Sequence, residues 1–178
     1  MTHPLESAYG LSATEILDAV AKRFRLRATL EGAVAEVQME RKIQVLLGSM
    51  IERYEAHDLD GQPDFSIWLS GIAKPLRAEC KNIRESSKVG GEAYREGGKI
   101  VAYKVETQKT RASQGDATNR YYGVDQFDIL GVCIGKKTGK WADLVFAKVA
   151  DLQRHAKYPN KLAVFQRVPL PTAERIFP

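Results

Sequence analysis

Five residues in the middle of the chain suit chemistry on a phosphate: Pro63, Asp64, Glu79, Cys80 and Lys81. Mg²⁺ prefers hard oxygen ligands, keeps several waters and bridges a protein to a phosphate. We therefore predict that Asp64, Glu79 and the carbonyl oxygen of Cys80 bind one or two Mg²⁺ ions, for which Mn²⁺ could substitute. The cation would activate a water and neutralise charge growing on the phosphate. Lys81 would position that water or stabilise the pentacovalent state. Its pKa would be lowered if it is partly desolvated, and the carboxylates would oppose that lowering.

These residues need two adjacent strands to bring them together. Residues 65–69 are bulky, residues 75–83 read as the next strand, and Gly71 marks the reversal between them. Antiparallel pairing across that turn would place Asp64 near the end of the second strand. Because side chains alternate along a strand, Glu79 and Lys81 project from one face as neighbours. The hairpin therefore predicts that the two carboxylates meet.

Helical patterns precede this hairpin. Ser12 and Glu15 form a predicted capping box, followed by apolar residues at helical spacing, so a first helix should run to about Arg27. Thr29 could cap a second, longer helix that ends near His57. Within it Glu36 and Glu40 share a polar side.

Strand patterns dominate the rest of the chain. They recur at residues 100–107, 127–134, 141–148 and 162–168. Residues 84–99 read as a glycine-rich, basic excursion with a short helical piece around Ala93, and GKKTGK reads as a hairpin turn. Helices followed by strands predict an α/β or α+β domain with a central mixed β-sheet flanked by helices.

Composition favours one ordinary domain. With 178 residues, 44% of them hydrophobic, the chain can bury a core without staples. We expect a helical part over residues 1–58, and over residues 59–178 a mixed sheet that carries the catalytic core. Cys80 and Cys133 are too far apart in sequence to suggest a zinc site or a disulfide. No apolar run could cross a bilayer and the first residues do not resemble a secretion signal, so we expect an intracellular protein without membrane contact.

The net charge of +5 is unevenly distributed. The first 70 residues carry 7 Lys or Arg against 11 Asp or Glu, whereas residues 71–178 carry 20 against 11. A basic surplus suits a phosphate-facing surface, because each Lys or Arg at a phosphate releases condensed counterions. Scattered basic residues on a solvated face explain the same counts.

The combination of Pro63-Asp64, a hairpin and Glu79-Cys80-Lys81 after a helix resembles the PD-(D/E)xK nuclease superfamily and its restriction-endonuclease-like members. Either half alone is common on charged strands and at turns. The resemblance implies a Mg²⁺-dependent endonuclease for double-stranded DNA, and in particular a type II site-specific restriction enzyme working as a homodimer. It implies Asp64 and Glu79 as metal ligands and Lys81 as the catalytic lysine. Glu36 or Glu40 matches an acidic residue that some members add from the preceding helix.

A rival catalytic assignment is Glu106-Thr107-Gln108, because some members replace the lysine with Gln. We instead interpret Gln108 and its neighbours as DNA contacts, since Gln can bridge an adenine and Arg or Lys can pair with guanine edges or phosphates. The predicted DNA-contacting residues are Lys88, Arg95, Lys99, Gln108, Lys109, Arg111 and Arg120.

Other functions remain open. The chain could be a DNA-binding module of the same fold without catalysis, or a nuclease for repair, junctions or modified DNA. We expect a dimer interface on the amino-terminal helices or on the tail after Val168.

Overall fold

A computed structural model describes residues 2–59, 61–83, 93–109 and 117–169. Its helices are α1 (Pro4–Tyr9), α2 (Ala13–Ala21), α3 (Phe24–Leu47) and α4 (Gly135–Thr138), with 3₁₀ turns at Gly48–Met50, Ala117–Arg120 and Val149–Asp151. Its strands are β1 (Ile51–Ala56), β2 (Phe65–Leu69), β3 (Leu76–Asn82), β4 (Ala93–Glu96), β5 (Lys99–Glu106), β6 (Ile129–Cys133), β7 (Leu144–Lys148) and β8 (Phe165–Pro169).

The capping box at the start of α2 is confirmed, because the Ser12 hydroxyl and the Glu15 carboxylate each accept a backbone N–H of the other residue. The helix limits differ from the prediction. α2 ends at Ala21, short of residue 27, and α3 begins at Phe24. Thr29 is therefore not a cap but lies inside α3, where its hydroxyl donates to the Arg25 carbonyl. A Thr hydroxyl can serve either role, so the sequence did not discriminate between them.

Residues 51–56 form a strand, which the sequence analysis wrongly placed in the second helix. Helix α3 stops at Leu47, and β1 pairs antiparallel with β2, from Ile51 opposite Leu69 to Ala56 opposite Phe65. The apolar spacing of Ile51 and Tyr54 fits a helix locally. Pairing with β1 satisfies backbone groups of β2 on the side away from β3, and this tertiary requirement decides the conformation. The predicted helical part, residues 1–58, therefore ends before β1.

The central sheet is mixed, as predicted, and has the order β1-β2-β3-β6-β7. The predicted hairpin is confirmed: β2 and β3 are antiparallel, with Phe65 opposite Ala78. Strand β6 lies parallel to β3, with Glu79 opposite Leu130, and pairs antiparallel with β7. Arg77 reinforces the β3–β6 junction, since its backbone and side-chain N–H groups donate to the Asp128 carboxylate at 2.9–3.1 Å.

A second sheet, of order β4-β5-β8, was not predicted as a separate layer. The segment around Ala93 is strand β4, not a helical piece, because it pairs antiparallel with β5. The GKKTGK segment does connect a hairpin, but through the single helical turn α4. That turn ends at Gly139, which adopts the left-handed conformation with φ of 73°.

Two apolar clusters cover the two faces of the central sheet. On one face Ala35, Met39 and Ile43 of α3 pack against buried residues of β2, β3 and β6. Gly131 of β6 permits this approach, because a Cβ there would lie 2.5 Å from the Met39 sulfur. On the other face the two sheets share a cluster, so a sheet and not a helix covers that side. Glu79 and Lys81, opposite Leu130 and Val132 of this cluster, belong to the same side.

The chain divides into two compact units, Met1–Val34 and Ala35–Pro178. Within the first unit α1 and α2 bury no residue. All elements of the central sheet belong to the second unit. The described residues contain no helix long and apolar enough to cross a membrane. That residues 1–178 act as one domain remains a prediction.

Candidate active site

Asp64 sits where the pairing of β2 with β3 stops. The last paired residues are Phe65 and Ala78, and immediately beyond them Oδ2 of Asp64 accepts the backbone N–H of Cys80 at 2.6 Å. The N–H and C=O of one strand residue point to the same side, so the Cys80 carbonyl also faces the Asp64 side. Extending the register places Pro63 opposite Cys80, and proline has no N–H to donate to that carbonyl. The pairing of β2 with β3 therefore ends at the Pro-Asp pair. Beyond that point the Asp64 carboxylate and the Cys80 carbonyl oxygen face the gap between the two strands.

Glu79 and Lys81 form a close ion pair on the face of the central sheet that Leu130 and Val132 share. The Lys81 ammonium lies 2.5 Å from Oε1 of Glu79, and the Glu79 residue is only 3% exposed. The Tyr122 hydroxyl donates to the same oxygen. Tyr122 is buried, with its ring edge-on to Phe127 at a centroid distance of 5.3 Å. Glu79 is thus held by a cation and a hydroxyl whose positions the core fixes.

The pKa of the Asp64 carboxyl lies near neutral pH. Burial, followed by the negative charges of Glu79 and Glu36, raises its pKa to about 7, although Lys81 and the Cys80 N–H oppose that rise. An Asp with such a pKa changes charge within the physiological range. Any cation arriving at the site would favour its ionised form.

Lys81 departs from the prediction of a lowered pKa. Burial is the largest single effect and disfavours its charged form, but the electrostatic interactions with Glu79, Tyr122 and Asp64 and the hydrogen bond to Glu79 together outweigh burial, so its pKa is raised. The carboxylates therefore oppose the lowering, as the sequence predicted. Lys81 is accordingly an ammonium ion at neutral pH and cannot act there as a base.

Two further groups border the site. Glu36 of α3 keeps solvent contact, yet desolvation and the charges of Asp58 and Glu79 raise its pKa against the opposing charge of Lys81. Burial and the neighbouring Glu40, Glu36 and Asp64 carboxylates raise the pKa of Tyr54. Of the two predicted glutamates, Glu36 interacts electrostatically with Glu79 and Lys81, while the charge of Glu40 acts on Tyr54.

The donor set fits a hydrated magnesium ion. Among the described residues no three His, Cys, Asp or Glu side chains group closely enough to hold a metal by themselves. Mg²⁺ is commonly bound by one or two carboxylates, with waters and substrate phosphate completing the shell. The oxygens of Asp64 and Glu79 and the Cys80 carbonyl are such donors, and a cation there would offset the burial and the repulsion from Glu79 that raise the pKa of Asp64.

Some predicted DNA contacts lie beside this site. Gln108 forms a bridge with Tyr121, the Lys109 N–H donates to the Arg120 carbonyl, and the Lys109 ammonium lies 5.6 Å from the Tyr122 ring centre. Arg120 is exposed.

Other predicted contacts are placed elsewhere. Arg95 and Lys99 are exposed on the β4–β5 hairpin of the second sheet, while Lys88 and Arg111 lie outside the described residues. In the rival motif Glu106 ends β5, and Thr107 is buried with its hydroxyl donating to the Ala163 carbonyl.

Sequence reasoning missed Tyr122 and Tyr54 as parts of the site. Neither residue belongs to a local sequence pattern that indicates a metal site. The Arg-Tyr-Tyr segment carries a faint signal, because two adjacent aromatic residues in an extended segment must face opposite ways. One of them is then directed towards the interior.

No protein-family model and no curated protein matches the sequence. Among solved structures, the chain is similar to a bacterial homing endonuclease, I-Ssp6803I, with a TM-score of 0.47 and 15% sequence identity. The similarity covers 84% of this chain and 83% of that one.

Proposed function

We propose that this protein is a Mg²⁺-dependent endonuclease that hydrolyses phosphodiester bonds of double-stranded DNA, with a site of the PD-(D/E)xK kind. One observation carries the proposal: Asp64 accepts the backbone N–H of Cys80 where the β2–β3 pairing ends, and the paired charges of Glu79 and Lys81, on either side of Cys80, act on its carboxylate. Two carboxylates beside a fixed ammonium suit a reaction in which negative charge grows on a phosphate.

Each residue has a distinct role in this proposal. Asp64, Glu79 and the Cys80 carbonyl would hold the ion, with Glu36 at the rim. Mg²⁺, when bound, supplies a Lewis acid that neutralises charge on the phosphate and favours ionisation of water. Lys81, which keeps its proton, stabilises the charge that develops on the phosphate oxygens. Tyr122 orients Glu79.

Lys109 and Arg120 would contact the DNA backbone beside the scissile bond. The bridge between Gln108 and Tyr121 and the hydrogen bond from Lys109 to Arg120 align their two segments next to Tyr122. Neutralising phosphates there would strengthen binding without reading sequence.

In this proposal the protein cuts both strands as a homodimer, in the manner of a type II restriction enzyme. One Asp64–Glu79–Lys81 set cuts one strand at a time, and a palindromic site is matched by two copies about a twofold axis. The Met1–Val34 unit offers a surface for the second copy, because its described residues expose seven large apolar side chains: Leu5, Tyr9, Leu11, Leu17, Phe24, Leu26 and Leu30. The predicted contribution of the tail after residue 169 lies outside the described residues.

Incubation with plasmid and phage DNA, in Mg²⁺ and in EDTA, tests the proposal. Discrete fragments in Mg²⁺ alone support a site-specific restriction enzyme, and nicked circles or cutting confined to junctions or modified DNA support the other nuclease activities. Binding without any cutting in Mg²⁺ or Mn²⁺ would indicate a DNA-binding module instead. Light scattering with and without DNA gives the mass, and a monomer in both states would contradict the dimer.

A further inference from the structure

Three aromatic rings from two chain segments stack together outside the site described above. The ring centres of Tyr121 and His155 are 4.6 Å apart, those of His155 and Tyr158 are 5.0 Å apart, and those of Tyr121 and Tyr158 are 6.3 Å apart. All three distances fall in the range of favourable aromatic pairs. Each of the three residues is only half-buried.

Backbone contacts fix this cluster in place. Nδ1 of His155 accepts the N–H groups of Lys157 and Tyr158 at 3.1 and 3.2 Å, which orients the imidazole and leaves the proton on Nε2. The Lys161 carbonyl accepts the His155 N–H, and Tyr121 is bridged to Gln108. Rings that are already ordered lose little entropy when a flat ligand stacks on them.

Basic residues neighbour the rings in sequence. Arg154, Lys157 and Lys161 come from the segment that carries His155 and Tyr158, and Arg120 precedes Tyr121, while Asp125 and Asp151 lie just beyond these segments. The Lys157 ammonium lies 5.5 Å from the Tyr158 ring centre. A flat, aromatic and anionic ligand would match both the ring cluster and the neighbouring cations.

We propose that the rings of Tyr121, His155 and Tyr158 form a stacking site for an unpaired base of a DNA strand, with its phosphates held by the surrounding lysines and arginines. Aromatic platforms in basic surroundings bind single-stranded nucleic acid in this way. The inference rests on the proposed function, because Tyr121 directly precedes Tyr122, whose hydroxyl donates to Glu79. A base stacked there would lie on the segment that holds the catalytic carboxylate.

The test uses the full chain in EDTA with a short single-stranded oligonucleotide, labelled with fluorescein for anisotropy or with 2-aminopurine to report stacking. We expect Tyr158→Ala to weaken binding about tenfold or more and to abolish the 2-aminopurine quenching. Tyr158→Phe, which keeps the ring, should bind like the unaltered chain. Tyr94→Ala is the matched control, because Tyr94 also lies beside two cations, Lys104 and Arg167, but on the second sheet.

A second variant tests the site if circular dichroism shows that Tyr158→Ala does not fold. Lys157→Gln, at an exposed position, should lower the slope of log affinity against log salt by about 0.7, the effect of one lost phosphate contact. Unchanged quenching in folded Tyr158→Ala, equal weakening in Tyr94→Ala, or an unchanged salt slope in Lys157→Gln would overturn the stacking site.

Duplex cleavage in Mg²⁺, measured on the same preparation, separates this inference from the proposed function. A chain that cuts duplex DNA but leaves 2-aminopurine unquenched refutes the stacking site alone. A chain that quenches and does not cut refutes the nuclease and supports the stacking site.

Discussion

The ammonium nitrogen of Lys81 lies 2.5 Å from Oε1 of Glu79, two positions earlier on the same strand. The Glu79 side chain is 4% exposed and that of Lys81 is 22% exposed, so each charge depends on the other for solvation. A pair of this kind costs stability when only one partner is removed, because the other charge is left buried.

Lys81→Met should therefore destabilise the fold by on the order of 3 kcal/mol, since Glu79 loses its cation. Adding Glu79→Gln to that variant removes the stranded charge and should recover much of the loss, while the Gln oxygen still accepts from Tyr122. Urea denaturation of the two single variants and the double variant gives the coupling energy. Additive losses would mean that the pair contributes no mutual stabilisation.

Asp64→Asn should stabilise the metal-free protein at high pH. The pKa of Asp64 is about 7 in the fold and about 3.9 in an unfolded chain, so the folded state holds the proton more tightly. The stability linked to that proton is fully present below about pH 4 and is lost as pH rises to about 7. Melting temperatures in EDTA should thus be equal for both proteins near pH 4 and higher for Asp64→Asn at pH 8. A variant that melts lower than the unaltered chain at pH 8 would contradict the raised pKa.

Magnesium affinity should rise steeply between pH 6 and pH 8. Below about pH 7 the proton on Asp64 competes with the ion and must be released on binding. Calorimetry in two buffers of different ionisation enthalpy measures both the affinity and the released proton. Asp64→Asn should show weak binding with no such pH dependence. An affinity independent of pH in the unaltered chain would place the ion away from Asp64.

Tyr122→Phe should keep the fold and lower cleavage. The variant retains the ring packed on Phe127 but removes the hydroxyl that donates to Glu79, at a cost of about 1–3 kcal/mol for a buried bond to a charged group. Because Glu79 is then less well oriented, Mg²⁺ affinity should fall as well. Tyr121→Phe is a matched control at the next residue. A purely structural role would lower the melting temperature and leave Mg²⁺ affinity unchanged.

Local patterns predicted the part of the molecule that matters most for the site. Alternation along β3, bulky residues in β2 and a glycine turn between them predicted the hairpin that brings Asp64 to the backbone of Cys80, because a hairpin depends on neighbouring sequence. The capping box at Ser12 was equally readable. These are short-range signals, and the structure agrees with them.

Contacts between residues far apart in sequence determine the features that local sequence patterns did not predict. Residues 51–56 carry helix-like apolar spacing but become a strand to cover the edge of β2, and β4 forms because β5 is beside it. Tyr122 approaches Glu79 from 43 positions away, a contact that no local pattern encodes. The raised pKa of Lys81 likewise depends on carboxylates whose distances only the fold sets.

Cleavage of plasmid DNA by Asp64→Asn tests the central claim most directly. This substitution keeps an oxygen to accept the Cys80 N–H, is expected to stabilise the metal-free fold at pH 8, and removes one carboxylate, so loss of activity cannot be ascribed to unfolding. We predict that the unaltered chain cuts in Mg²⁺ and not in EDTA, and that Asp64→Asn binds DNA without cutting it. Full cutting by Asp64→Asn, or loss of cutting confined to Glu106→Gln or Gln108→Ala, would contradict the assignment of this site.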